Sequence, residues 1–425
     1  MRYFGEVEYE YSTMKLKKLY YGWFVVLISI FILMVFAASM YSRGIFLTSL
    51  TEWFNWNRGA ISGAYSLSMI ISGLLAFISG RLTDRFGPRI VITFFGLLVG
   101  GGLLLMSMVG SIVHVYLIWV FIIGIGSSCV FTPIASTLPK WFIERRGLAI
   151  GITFAGFSLG GIIWPPVVEH LIANIGWQST YMVVGLITLV IITALAQLMK
   201  QSPQKIGLKP YGEKEKPEST PRILDQTATG LSFTQAFNTT PYWLIGLIRF
   251  CSMFVFQLVL VHIFPHAVDI GLSKIGAATI LSIISISSTI SRLLIGFVAD
   301  RIVHKLTLFL SAIVLTLSLI ILFFARESWY FYAFALLFGL AWGGVNVVQI
   351  SLIAELFGLR SLGAIIGSLE PLLTIGGAIG VSMAGIIFDT TGSYTTPFLI
   401  CIIQALLVML FSFLLMRYKH TEVVY

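Results

Sequence analysis

Apolar residues in this chain run in long unbroken blocks, and polar residues gather between them. The blocks fall at about 20–48, 59–80, 89–110, 113–138, 147–172 and 177–199, then at 241–268, 274–299, 306–325, 329–356, 361–388 and 395–416. Each is near or above the ~20 residues a helix needs to cross a bilayer. In lipid every backbone N–H and C=O must pair within its own segment, so such blocks predict helices. The short alternating segments of a β-barrel do not occur. The pattern predicts an all-α membrane protein with twelve transmembrane helices in two six-helix, pseudo-symmetric bundles. The expected divisions are an N-terminal tail over 1–19, a first bundle over 20–199, a polar linker over 200–240, a second bundle over 241–416 and a C-terminal tail over 417–425. Leu231 to Phe237, inside the linker, are expected to form a short surface helix.

Composition agrees: 57% of the 425 residues are hydrophobic and only 11% charged, where a soluble chain carries roughly a quarter charged. The net charge of +9 would suit nucleic acid, but its distribution argues for a lipid bilayer as partner and no nucleic acid. If both termini are cytoplasmic, 21 of the 27 Lys and Arg fall on that side and three (Arg58, Lys274, Arg326) on the other, while Arg43, Arg249 and Arg292 lie within spans. This bias orients the chain. Cys129, Cys251 and Cys401 sit in three separate apolar blocks, so neither a metal site nor a disulfide framework is expected. The polar N-terminal stretch followed by a long apolar block does not read as a cleaved signal peptide.

The two halves share a motif. Gly80-Arg-Leu82-Thr-Asp84-Arg85-Phe-Gly87-Pro-Arg89 follows span two, and Gly296-Phe-Val-Ala-Asp300-Arg301 follows span eight. Gly80 would let helices approach closely, and Asp84 would meet the positive N-terminus of a neighbouring helix. At these residues the sequence resembles the major facilitator superfamily, and the resemblance implies that this loop gates the inward face. Five further stretches resemble the monocarboxylate transporter and oxalate/formate antiporter branches. They are Trp141 to Gly151, Ser202 to Pro210, Val261 through His262 and Asp269 to Ser273, Ser291-Arg292-Leu293, and Phe388-Asp389 to Tyr394. That resemblance implies a substrate-binding arginine in span eight, at Arg292, and a coupling role for His262 and Asp269.

Ionisable residues inside spans are costly and mark function. At ~1.5 Å per residue, Arg292, Glu370 and Arg249 each lie about 12–14 Å from the cytoplasmic ends of spans eight, eleven and seven. Arg292 is the expected anion ligand, because a guanidinium takes a carboxylate bidentately; balancing Glu370 is its alternative role. Glu370, before the helix-weakening Pro371, is an expected proton site or else a structural partner of Arg249, which is close enough to the interface to snorkel. Asn346 and Gln349 in span ten and Tyr41 in span one are further candidates for the substrate cavity. Arg43, His114 and Glu169 lie toward outer ends, and Gly156-x-x-x-Gly160 predicts a close helix contact. The resulting expectation is a monomeric, proton-coupled carrier of a small monocarboxylate, lactate- or pyruvate-like, in the cell membrane, using no cofactor and working by alternating access. The alternatives are an oxalate/formate-type exchanger and a multidrug exporter. No metalloprotease pair, nucleophile elbow or phosphate loop suggests an enzyme.

Overall fold

The computed structural model describes residues 20–128, 130–212, 230–298, 304–358 and 361–418. Among them, eleven helices are long and apolar enough to cross a bilayer. The longest, Arg146–Leu198, contains a break at Gly176 (φ 77°, ψ 164°), a conformation open to glycine alone. Residues before and after that break make spans five and six, so the chain crosses twelve times.

Span one is a rod over Tyr21–Phe54, formed by Tyr21–Tyr41 and Arg43–Phe54, which meet at the near-helical Ser42. Its 34 residues reach ~51 Å, well beyond a ~30 Å hydrocarbon core. Span two is Arg58–Phe86, and Gly87 (φ 82°) turns the chain into span three, Pro88–Met106, with proline at the first helical position. The fourth span departs from the expected single rod. Ser111 caps Ile112–Tyr116, a π-helical segment follows over Leu117–Ile123, and the α-helix resumes as Gly124–Ser127 and then Phe131–Trp141. A Cβ on Gly124 would lie 3.0 Å from the Ser68 carbonyl, so spans two and four approach closely there.

Spans seven to twelve are Thr240–Asp269, Lys274–Val298, His304–Phe323, Ser328–Phe357, Leu362–Thr391 and Thr395–Arg417. Span eleven continues through Pro371 without the expected break. The expected surface helix forms over Phe233–Phe237, where Ser232 and Gln235 make a reciprocal capping box.

Small residues set the packing. A Cβ on Gly156 would lie 2.5 Å from the Ile30 carbonyl, and one on Gly160 would strike the Met34 carbonyl, so spans one and five touch backbone to backbone. The two halves meet along spans two and eleven, five and eight, and the outer part of one against seven. At the Lys/Arg-rich end of the first bundle, Tyr20, Trp141, Phe142 and Tyr211 close an aromatic cluster, tied by Tyr211 N–H donating to the Trp141 carbonyl at 2.8 Å. Large apolar side chains such as Leu74, Ile90, Phe94, Phe121 and Leu310 stand exposed on the perimeter. Lipid is the solvent that such a surface requires.

Candidate substrate site and its closures

Arg292 faces the seam between the halves. Its Nη1 donates to Ser158 Oγ on span five at 3.0 Å, while its Nε has no hydrogen-bond partner. Tyr41, from span one, is close enough to interact electrostatically with Arg292, and buried Ser285, two turns before Arg292 on span eight, leaves its Oγ without a hydrogen-bond partner. The Tyr41 ring also packs on Phe157 at 5.4 Å. No carboxylate among the described residues pairs with Arg292. The site therefore holds a cation with an unused donor beside a phenol, at the boundary of two bundles. Chemically it is suited to a carboxylate.

Gly161 is what lets these groups meet, since a Cβ there would lie 2.7 Å from Tyr41 Cζ and would strike Ser285 Oγ. Gly161→Ala is expected to destabilise the protein by about 1–3 kcal/mol through overpacking. A thermal unfolding midpoint equal to that of the parent would refute this reading of the contact.

Glu370 does not balance Arg292. It accepts from Arg249 Nη2 at 2.6 Å, with the Arg249 side chain 6% and the Glu370 side chain 44% exposed. Arg249 is thus buried and forms the structural pair with Glu370 that was one of its expected roles, and it does not snorkel, because span eleven brings the carboxylate to it. Gln349 is buried with an unpartnered Nε2. Asn346 lies on span ten, but its side chain is outside the described ones.

His262 and Asp269 belong to a network at the other end, away from the Lys/Arg-rich loops and away from Arg292. Arg58 forks onto Asp269 at 2.6 and 2.8 Å and donates to the Tyr394 hydroxyl at 3.1 Å. Asp389 accepts from the backbone N–H groups of Arg58 and Gly59 at 2.8 and 2.7 Å. Fully buried His262 places Nε2 3.0 Å from the Val381 carbonyl and Nδ1 3.0 Å from the Tyr394 hydroxyl. A carbonyl only accepts, so Nε2 carries the proton and Tyr394 donates to Nδ1. Lys274 pairs with Glu52 at 2.8 Å nearby. Both ion pairs that join the halves among the described residues lie at this end.

Sequence reasoning placed Arg58 in a loop and missed its role. Its only signal was an arginine beside a glycine, opposite acidic residues more than 200 positions away. Asp269→Asn removes one charge of a bidentate pair, an interaction of about 1.5 kcal/mol at a partly exposed site, or roughly tenfold in an opening equilibrium. Amide hydrogen exchange at the start of span two is expected to quicken by that factor. Unchanged exchange there would show that the pair does not hold this end shut.

The repeated motif sits at the Lys/Arg-rich end. Asp84 pairs with Lys140 at 3.3 Å, both exposed, where a helix N-terminus was the expected partner; Lys140 lies at the end of span four and reaches it first. Arg89 donates to Gln197 at 2.8 Å, and Arg85 lies over the Phe86 ring. A Cβ on Gly80 would make an ordinary 3.6 Å contact with Thr132, so close approach does not require that glycine. Gly296 lies near the end of span eight, while Asp300 and Arg301 fall outside the described residues.

The chain matches the Major Facilitator Superfamily over residues 23–370 and 245–424. It is 25% identical to monocarboxylate transporter 13 of Rattus norvegicus, covering 89% of this chain and 85% of that protein. It is 26% identical to human monocarboxylate transporter 7, covering 90% and 83%. The agnestins efflux protein of Paecilomyces divaricatus is 28% identical over 80% of this chain and 75% of its own. Among solved structures, a bacterial homologue of the human lysosomal transporter Spinster, inward-facing and occupied, superposes with a TM-score of 0.73 at 12% identity, covering 94% of this chain and 97% of that one.

Proposed function

Because this chain belongs to the Major Facilitator Superfamily and is therefore a multi-pass membrane transporter and not an enzyme, we propose that it carries a small organic monocarboxylate, bound through Arg292 and coupled to a proton. The observation that carries this reading is the Arg292 guanidinium at the seam, unpaired by any described carboxylate and with an unpartnered Nε. The names of the monocarboxylate transporters among its relatives support the same substrate class. A carboxylate in the seam would take the unused edge of Arg292 and the Tyr41 hydroxyl, with Gln349 of span ten as a neutral donor and Asn346, on the same span, as a further candidate ligand.

In this reading Arg292 discharges the substrate, so the proton needs a separate carrier. Glu370 fits that role: its pairing with Arg249 is half-exposed and breaks and reforms as the Lys/Arg-rich end opens to water. His262 and Asp269 act with Arg58, Tyr394 and Asp389 as the closure at the opposite end. Opening that end exposes His262 and frees its ring nitrogens. Rocking of the two bundles then presents the seam to each side in turn. The loop from Gly80 through Asp84, Arg85 and Gly87 to Arg89, with its second copy from Gly296 to Asp300 and Arg301, closes the Lys/Arg-rich side. We place that side, and both termini, in the cytoplasm of a cell whose plasma or inner membrane holds a monomeric carrier.

Reconstituted protein with labelled lactate or pyruvate tests the proposal. An acidic exterior is expected to accelerate uptake several-fold, and unlabelled monocarboxylates to compete where oxalate does not. Exchange indifferent to the pH gradient would refute proton coupling, and absence of monocarboxylate transport would refute the substrate class.

A further inference from the structure

Arg43 is buried inside the first bundle, 3% exposed, with neither Nε nor Nη1 hydrogen-bonded. It makes no ion pair with a described carboxylate. Its guanidinium carbon lies 5.1 Å from the centre of the Trp119 ring and 5.8 Å from that of Tyr65, and Tyr181 is an electrostatic neighbour. The hydroxyl of Tyr181 and the indole Nε1 of Trp119 are buried beside one another and beside the Tyr65 hydroxyl, and neither bonds the guanidinium. Phe46 stacks on Tyr181 at 3.6 Å and closes the box. Four elements build it: spans one, two, four and six.

Ring faces attract a cation, but cation–π contacts replace only a fraction of the hydration that a guanidinium loses on burial. Buried N–H and O–H groups almost always find partners. Here the guanidinium Nε and Nη1 find no acceptor, and the phenol oxygens of Tyr65 and Tyr181, neutral and facing each other and the indole N–H, supply no negative charge. The missing species is an acceptor that carries one negative charge. It is small, because aromatic side chains seal the box, and the box lies within one bundle rather than on the seam. We infer that the box holds a halide ion, chloride under ordinary conditions, as a structural counter-ion of Arg43, distinct from the Arg292 site and independent of what that site carries.

Bromide supplies the probe. Crystals of the whole protein grown in sodium bromide are expected to show an anomalous peak beside Arg43 Nη1 and Trp119 Nε1. In solution, replacing gluconate by chloride at constant ionic strength is expected to raise the unfolding midpoint saturably. Tyr181→Phe should shift the half-saturating chloride concentration upward at least threefold, and Arg43→Gln should remove the dependence. No anomalous peak in the box, an unresponsive parent protein, a response unaltered in both variants, or stabilisation by acetate in place of halide would each overturn the inference. The bromide measurement stands even if Arg43→Gln fails to fold.

Discussion

Arg292→Ala protein is expected to fold, reach the membrane and transport less than about one-hundredth as much substrate as the parent. Two charge-assisted hydrogen bonds to a carboxylate, at about 1.5–3 kcal/mol each, amount to a hundredfold or more in binding. Folding should survive, since the only described hydrogen bond lost is the one to Ser158, and removing an arginine whose Nε already lacks a partner leaves no carboxylate stranded. Arg292→Lys keeps the charge but loses the planar fork, and about a tenfold loss is expected. Uptake and detergent-phase thermal unfolding, measured together, separate a binding defect from a folding one. Near-parental uptake by the alanine variant would refute the central role of this residue.

Glu370 yields the second large effect, through a different mechanism. Its removal leaves Arg249 buried without its counter-charge, and breaking a buried pair costs about 3–5 kcal/mol. Because the Glu370 side chain is 44% exposed, the lower end of that range applies to Glu370→Ala. A compensated double variant, Arg249→Met with Glu370→Leu, is expected to recover most of the stability, since an apolar pair of similar size costs little. Transport distinguishes structure from coupling. Glu370→Gln keeps the shape and a neutral partner for Arg249, so it should retain exchange at equal pH while losing stimulation by a proton gradient. A parental response to the gradient in that variant would leave Glu370 with a structural role only.

The two predictions draw on residues that the sequence marked in the same way, as charges deep within apolar blocks. Their equal depth suggested a single cluster of Arg249, Arg292 and Glu370. The structure divides them: span eleven delivers Glu370 to Arg249, and span eight turns Arg292 toward Ser158 and Tyr41. Depth is readable from residue count along a helix; the direction in which a side chain faces depends on which helices surround it.

Other features were legible because they follow from local rules. Twelve crossings, the capped helix at Phe233–Phe237 and the close contact at Gly156 and Gly160 all follow from the solvent preference, capping chemistry or size of adjacent residues. The break at Gly176 falls in the gap between the blocks 147–172 and 177–199 and was legible as a span boundary; the π-helical turn in span four was not, because the apolar block around it looks continuous. Arg58 is the clearest case. By itself it is one loop arginine among several, and its meaning comes from Asp269, Tyr394 and Asp389, which are remote in sequence and close in space.

The sequence alone determined that the chain lives in lipid, how many times it crosses, which end carries the positive charge and which ionisable residues are buried at a cost. Those properties are sums over neighbouring residues, and neighbours in sequence are enough to compute them. Only the tertiary structure decided which charges neutralise one another, which arginine remains open at the seam, and that Arg43 stands in an aromatic box with no described carboxylate to neutralise it. Pairing is a property of distance between helices, and packing of small residues at Gly161, Gly156 and Gly160 sets that distance.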